Sequence, residues 1–249
     1  MRIVVDAART GITLFAGMMA TLLIGSAVIV VAHVRPSSPF VETLARWWSR
    51  WWLVAGGVSL NVRGRELVDT DRSYVVVANH RSDFDIMACF LAIPLPIRYL
   101  AKKELFRVPV LASAMRSIGI IEIDREAHGT IHDQINRQAR ALVAAGRSLI
   151  IYPEGTRSRD GSMRPFKKGA FTMAIASGLP VLPVTIHGSR ETWPPVRLVK
   201  GGTITVLIDS PIETEDMGHA DIEPLRSRVQ ALIEERLELL GAETPVPQS

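Results

Sequence analysis

From Gly11 to Val34 the chain carries no aspartate, glutamate, lysine or arginine. Wound as an α-helix, that run reaches roughly 35 Å at about 1.5 Å per residue, enough to cross the ~30 Å hydrocarbon layer of a bilayer. A fold can accommodate such a segment in two ways only, in lipid or as a fully buried core helix. Arg9 and Arg35 bracket it as headgroup-level charges would. Gly17, Thr21 and Gly25 recur at four-residue spacing, which either marks a close-packing helix face or is chance. A secretory leader would need a shorter apolar region and a small-residue cleavage site, whereas this run ends in Ala32-His33-Val34. The segment therefore reads as a membrane-embedded helix, with a buried core helix as the alternative.

A breaker cluster, Pro36-Ser37-Ser38-Pro39, precedes a second helical pattern from Phe40 to Leu53. Trp47, Trp48, Trp51 and Trp52 recur there at helical spacing and are expected on one side of the helix, flanked by Arg46 and Arg50. Indoles beside guanidinium groups suit the membrane interface, because a buried indole N–H needs a partner that a soluble core rarely offers four times over. Residues 1–60 are thus expected to form membrane-anchoring helices. More arginines follow the apolar run than precede it (Arg35, Arg46, Arg50, Arg63 and Arg65), which places the rest of the chain on the cytoplasmic face of the cell membrane.

Beyond Gly56-Gly57, short runs rich in Val and Ile alternate with helical patterns. Strands are predicted at 73–78, 97–101, 119–123, 148–152, 181–186 and 203–208, and helices at 127–145 and 221–240. In the last helix Leu225, Val229, Leu232, Arg236 and Leu239 are expected to share one mostly apolar face. This alternation predicts an α/β domain over residues 61–242, a mixed central β-sheet flanked by helices, with a disordered tail at 243–249. With 249 residues of which 47% are apolar, one large domain can be filled but two equal ones cannot. The excess of 29 basic over 25 acidic residues favours anionic partners. The single cysteine, Cys89, excludes an intramolecular disulfide and a cysteine-based metal cluster.

The polar groups that could do chemistry stand where these apolar strands end. Strand 73–78 runs into Asn79-His80-Arg81-Ser82-Asp83-Phe84-Asp85, so His80 is expected at the crevice edge of the sheet. If a helix begins near Ser82, the Asp85 carboxylate can return to the imidazole, fix its tautomer and stabilise its protonated form. The same Ser82-x-x-Asp85 spacing also fits a capping box, and histidine with aspartate can ligate a metal, so three readings stand side by side. The predicted strand 119–123 leads to Asp124-Arg125, which brings a phosphate-shaped guanidinium to a strand end or forms an ordinary surface ion pair. Tyr152-Pro153-Glu154-Gly155-Thr156-Arg157-Ser158-Arg159 follows another strand and sets an acid, a permissive glycine and two arginines in one loop. Gly178-Leu179-Pro180-Val181-Leu182-Pro183-Val184 reads as a rigid wall.

These four blocks, in this order and with Ala101-Lys102-Lys103-Glu104-Leu105 and Pro165-Phe166-Lys167-Lys168-Gly169-Ala170 between them, resemble the lysophosphatidic acid acyltransferases of the glycerolipid acyltransferase superfamily. The resemblance implies that His80 and Asp85 are the catalytic pair, that Arg125 binds the acceptor phosphate, and that Glu154 and Gly155 belong to the acceptor site. Thr156, Arg157 and Lys102 are expected beside them, with Arg164, Lys167 and Lys168 as candidates for the donor's phosphates. Where the family often has phenylalanine, this chain has Glu122 and Tyr152, and Glu122 adds a negative charge near the expected phosphate site. The implied reaction moves an acyl group from acyl-coenzyme A or acyl carrier protein, used as co-substrate, to the second hydroxyl of 1-acylglycerol-3-phosphate. A thioester is already activated, so direct attack suffices, and the absence of a Gly-x-Ser-x-Gly elbow agrees with that. No bound cofactor, no metal and no nucleic-acid partner are expected. The competing readings are an acyltransferase for another lysolipid, such as a lysophospholipid or a lyso-ornithine lipid, and a non-catalytic lipid-binding adaptor at the bilayer.

Overall fold

The structure, a computed structural model, describes residues 2–35, 38–123, 138, 141–157, 162–195 and 197–243. Two helices come first, α1 (Arg2–Val34) and α2 (Phe40–Ala55). There follow β1 (Val58–Arg63), β2 (Val75–Ala78), α3 (Phe84–Ala92), β3 (Ile97–Lys102), α4 (Leu111–Ile118), β4 (Ile121–Ile123), β5 (Ser148–Ile151), α5 (Gly169–Ser177), β6 (Val181–His187), β7 (Gly202–Ile208) and α6 (Ile222–Glu243). The sheet order is β1-β7-β6-β2-β5-β3-β4. Strands β6, β2, β5, β3 and β4 run parallel, while β7 turns back against β6 and carries β1 beside it. The result is a mixed α/β sheet covered on both faces.

Central strand β2 reads Val-Val-Val-Ala because helices close over both of its sides, and all four residues are fully buried. Val76 and Ala78 face a core shared with α3 and α4, whereas Val75 and Val77 face α5 and α6. The six predicted strands are all present. The seventh, β1, was not anticipated: its alternating Val58-Ser59-Leu60-Asn61-Val62-Arg63 has one half-polar side, as befits an edge strand. Of the helix predicted at 127–145, most lies outside the described residues, and 141–144 are helical. Helix α6 is confirmed with a corrected face. Ile222, Leu225, Val229, Ile233, Leu237 and Leu240 are buried, while Leu239 is exposed, because the true 3.6-residue period carries the stripe from Leu232 to Ile233 and from Leu239 to Leu240.

Helices α1 and α2 form a hairpin laid along the α/β body. Thr13 donates to the Ala55 carbonyl at 3.1 Å, Thr21 accepts from Trp48 Nε1 at 2.9 Å, and Val28 and Ala32 pack with Val41, Leu44 and Ala114. The small residues form a working face: a Cβ on Gly17 would overlap the Trp52 indole, and one on Gly25 would press on Val110 at 3.1 Å. The tryptophans, expected on one side of α2, divide instead. Trp48 and Trp52 turn inward against α1, and Trp47 and Trp51 are half exposed. Positions 47 and 52 lie roughly 140° apart around a helix, too wide an arc for one face. Arg46 is likewise turned in, donating to the Ile93 carbonyl at 3.0 Å at the end of α3, so only Arg50 projects as a flanking cation. Glu42 of α2 reaches the fully buried Arg98 of β3 in a two-pronged ion pair, which ties the hairpin to the sheet. The boundary drawn from composition at residue 60 falls inside β1.

Candidate active site

Strands β6, β2, β5, β3 and β4 share one direction, so their carboxyl ends meet along one edge of the sheet. His187, His80, Tyr152 and Lys102 therefore stand at or just past neighbouring strand ends. Just beyond β2, the fully buried Asn79 turns its amide onto the next strand, giving a hydrogen to the Ile186 carbonyl and accepting one from the Ile186 amide, both at 2.8 Å. The ladder between β2 and β6 is thereby extended one residue by a side chain, which fixes the point from which His80 departs.

His80 Nδ1 lies 2.8 Å from Asp85 Oδ2, and Asp85 is wholly buried. The same oxygen accepts the backbone amides of Arg81 at 2.7 Å and Ser82 at 2.8 Å. Capping and imidazole contact thus coexist: the carboxylate closes the turn before α3 and holds the ring through one atom. With Nδ1 committed to Asp85, Nε2 remains as the ring's acceptor. The imidazole lies flat on the Tyr152 ring, centroids 4.1 Å apart and planes 12° from parallel. Tyr152 in turn stacks toward Tyr99 and points its hydroxyl at Cys89 Sγ, 3.9 Å away. Burial pushes the phenols of Tyr99 and Tyr152 well above the usual range and the Cys89 thiol up to about 12, so none of the three carries charge near neutrality.

Glu154 is 3% exposed, and its oxygens accept the His80 amide at 2.7 Å and the Arg164 amide at 3.0 Å. Its acidity is weakened by burial, with those two amides pulling the other way. Gly155 has a left-handed φ of 75°, and the Lys167 side chain lies across the space a Cβ would take, its Nζ 3.0 Å from that point. Arg157 pairs with Asp83, and Thr156 is exposed on the same loop. Lys102, exposed at the end of β3, pairs with Glu104 at 3.3 Å. Lys168 is not in this group: it turns to Glu223 on α6 at 3.2 Å. Arg164 enters through its backbone, with an exposed side chain. Asp124, Arg125, Ser158 and Arg159 lie outside the described residues. Glu122 is paired with Arg116 at 3.5 Å on the α4 side of β4. No group of histidine, cysteine and acid converges as a metal site among the described residues. His128 and His132, at His-x-x-x-His spacing, fall outside them.

Beside the dyad lies a cavity of about 320 Å³ between α1, α2, α3 and α4, walled by Ile24, Val28, Trp48, Met87, Phe90 and Met115 among others. His80 and Asp85 do not line it; Asp83, Tyr99 and Trp193 do, and they connect it to the dyad, Asp83 two residues from Asp85, Tyr99 stacked on Tyr152 and Trp193 holding Ser82. Trp193 accepts the Ser82 hydroxyl at its carbonyl, 2.9 Å, and stacks on Trp52 at 6.2 Å. An apolar cavity of this kind suits a hydrocarbon chain. Tyr152, Asn79 and Asp83 stand inside the motif blocks read from the sequence without a role of their own, and Trp193 stands outside them.

A histidine on a buried aspartate at the carboxyl edge of an α/β sheet, cations around it and an apolar cavity nearby describe an enzyme of the acyltransferase class. A family model described as Acyltransferase matches residues 59–187. A 1-acyl-sn-glycerol-3-phosphate acyltransferase from Cocos nucifera is 30% identical over 90% of this chain and 73% of its own length. The chloroplastic BAT2 enzyme of that name from Brassica napus is 36% identical over 61% of this chain, which spans 44% of it. The human alpha form is 30% identical over 70% of this chain and 62% of its own length. Among solved structures, the 1-acyl-sn-glycerophosphate (LPA) acyltransferase PlsC from Thermotoga maritima matches with a TM-score of 0.85 and 25% identity, covering 99% of this chain and 100% of that one. The chain belongs to the 1-acyl-sn-glycerol-3-phosphate acyltransferase family.

Proposed function

We propose that this protein transfers a fatty acyl group from acyl-coenzyme A or acyl carrier protein to the second hydroxyl of 1-acylglycerol-3-phosphate, giving phosphatidic acid. The observation that carries the reading is the Asp85-bound imidazole of His80 next to the apolar cavity. His80 Nε2 takes the proton as the hydroxyl oxygen attacks the thioester carbonyl. The new C–O bond forms, the C–S bond breaks, and the leaving thiolate recovers the proton from the imidazolium, so no enzyme atom is acylated. Burying each methylene of the donor chain in the cavity contributes about 0.8 kcal/mol. Arg81 stands in the dyad's own turn with its amide on Asp85, and the same turn is reached from the loop after β5 by Arg157, whose partner Asp83 is two residues from Asp85. We assign Arg157, with Lys167 and Lys102, to the acceptor phosphate, and we keep Arg125 there on the family pattern alone. Strand β4, the last described element before Arg125, stands three strand spacings from β2, roughly 14 Å.

The hairpin docks this edge against the cytoplasmic leaflet of the cell membrane. Helix α1 is long and apolar enough to cross a bilayer. Both of its ends nevertheless touch the catalytic body, Arg9 at the Lys200 carbonyl and Ala32 near Ala114 of α4, which a helix leaving through the far leaflet could not do. Ile12, Phe15, Met18, Leu22, Trp47 and Trp51 face outward for lipid. The deciding experiment supplies purified protein with oleoyl-coenzyme A and a panel of acceptors: 1-acylglycerol-3-phosphate, lysophosphatidylethanolamine and a lyso-ornithine lipid. Phosphatidic acid as the main product supports the reading; a preference for the phosphate-free acceptor overturns it.

A further inference from the structure

We propose that the third motif block serves the histidine: Tyr152 and Glu154 are positioning residues that fix the plane and the backbone of His80, and Glu154 does not touch the acceptor. The inference rests on His80 being the proton acceptor. One hydrogen bond from Nδ1 to Asp85 leaves the imidazole free to hinge about that line, and a hinged ring would move Nε2 away from the attacking hydroxyl. The parallel face of Tyr152 at 4.1 Å removes that freedom. The platform is itself held, by Tyr99 stacked 6.0 Å away and by the hydroxyl directed at Cys89. Two residues further on, Glu154 accepts the His80 amide with one oxygen and the Arg164 amide with the other, at 3% exposure. At that exposure, with one backbone amide on each oxygen, the carboxylate is turned to the main chain and offers almost no surface to a lipid headgroup. It ties the end of β2 to the end of β5 and to the segment at Arg164, so the loop after β5 grips both the ring and the main chain of one residue.

The test uses the full chain in detergent with four variants: Tyr152→Phe, Tyr152→Leu, Glu154→Gln and His80→Ala. The measurements are kcat and KM for 1-acylglycerol-3-phosphate and the imidazole proton shifts of labelled His80, which the ring current of a stacked partner displaces. Tyr152→Phe loses only the long contact to Cys89 and retains the ring and its stack on Tyr99, so it is expected to keep the displaced shifts and most of kcat. Tyr152→Leu is expected to lose the displacement and to lower kcat roughly ten- to hundredfold at unchanged acceptor KM, as small misplacements of a catalytic group do. Tyr152→Met repeats the comparison if the leucine variant fails to fold. Glu154→Gln sets an amide donor against the Arg164 amide and is expected to lower kcat, again at unchanged KM. A raised acceptor KM with normal kcat in Glu154→Gln returns Glu154 to the acceptor site, and full turnover in Tyr152→Leu removes the clamp. Persistent turnover in His80→Ala instead strikes the base assignment itself, so the two failures are told apart.

Discussion

Replacing Asp85 with asparagine keeps the outline of the site and removes one charge. In the resting enzyme Oδ2 accepts from His80 Nδ1 at 2.8 Å and from the amides of Arg81 and Ser82 at 2.7 and 2.8 Å. An asparagine oxygen can take all three, so the ring stays in place. What changes is the attraction felt when the imidazole becomes an imidazolium. Two unit charges 2.8 Å apart at an effective dielectric constant of about 20 attract by about 6 kcal/mol. At about 1.36 kcal/mol per decade, that is roughly four powers of ten in rate. Because the charge exists only as the reaction proceeds, the loss is expected in kcat with little change in KM. The asparagine NH₂ must also replace Oδ1, which has no protein partner, and a buried unpaired donor costs about 1–3 kcal/mol of stability. Thiol release from oleoyl-coenzyme A reads the first effect and thermal melting the second. A kcat that falls less than about tenfold, with the melt still cooperative, would show that no imidazolium forms against Asp85.

Three further outcomes follow from the packing. Glu42→Ala leaves the buried Arg98 guanidinium without its carboxylate and is expected to destabilise the protein by about 3–5 kcal/mol, seen as a lowered melting temperature; a shift within error would mean the pair is dispensable. Cys89, with its thiol at about 12 and no exposure, is expected to resist maleimide at pH 8 in the native protein and to react once denaturant is added, and rapid native labelling would contradict the burial. Trp47→Ser with Trp51→Ser is expected to weaken binding to vesicles at unchanged melting temperature, whereas Trp48→Ser removes a packed indole and its bond to Thr21, at about 3–5 kcal/mol; equal effects of the two changes on melting would refute the division of the tryptophans.

The parts of this architecture that could be read from sequence are those encoded locally. Parallel strands buried on both faces appear as near-continuous apolar runs, so β2, β5 and β6 were plain, while β1 hid because its outward residues are polar. The His80–Asp85 pair was legible because five residues and one turn separate its members. The Gly17, Thr21 and Gly25 spacing was legible as a pattern, but its partners, Trp52, Trp48 and Val110, come from other elements. Tyr152 and Glu154 reach His80 across neighbouring strands, more than seventy positions away in sequence, and no local spacing encodes such a meeting. The same limit explains Lys168, which stands in a lysine pair beside the glycine loop and yet faces α6, and Arg46, which shares a register with Arg50 and yet closes α3.

The hairpin and the chemistry are joined by contacts rather than by a linker. Gly17 of α1 admits the Trp52 indole, Trp52 stacks on Trp193, the Trp193 carbonyl holds the Ser82 hydroxyl, and the Ser82 amide donates to Asp85. Glu42 adds a second tie through Arg98 to β3. Removing residues 1–60 would therefore strip a wall from the cavity, unpair a buried arginine and delete the start of β1 along with the lipid-facing surface. Inactivity of such a truncation cannot be assigned to lost membrane contact, because each of those losses reaches the dyad or the core directly. Substitutions at Trp47 and Trp51, which lie on exposed apolar surface and outside this chain of contacts, test the proposed anchoring apart from catalysis where truncation cannot.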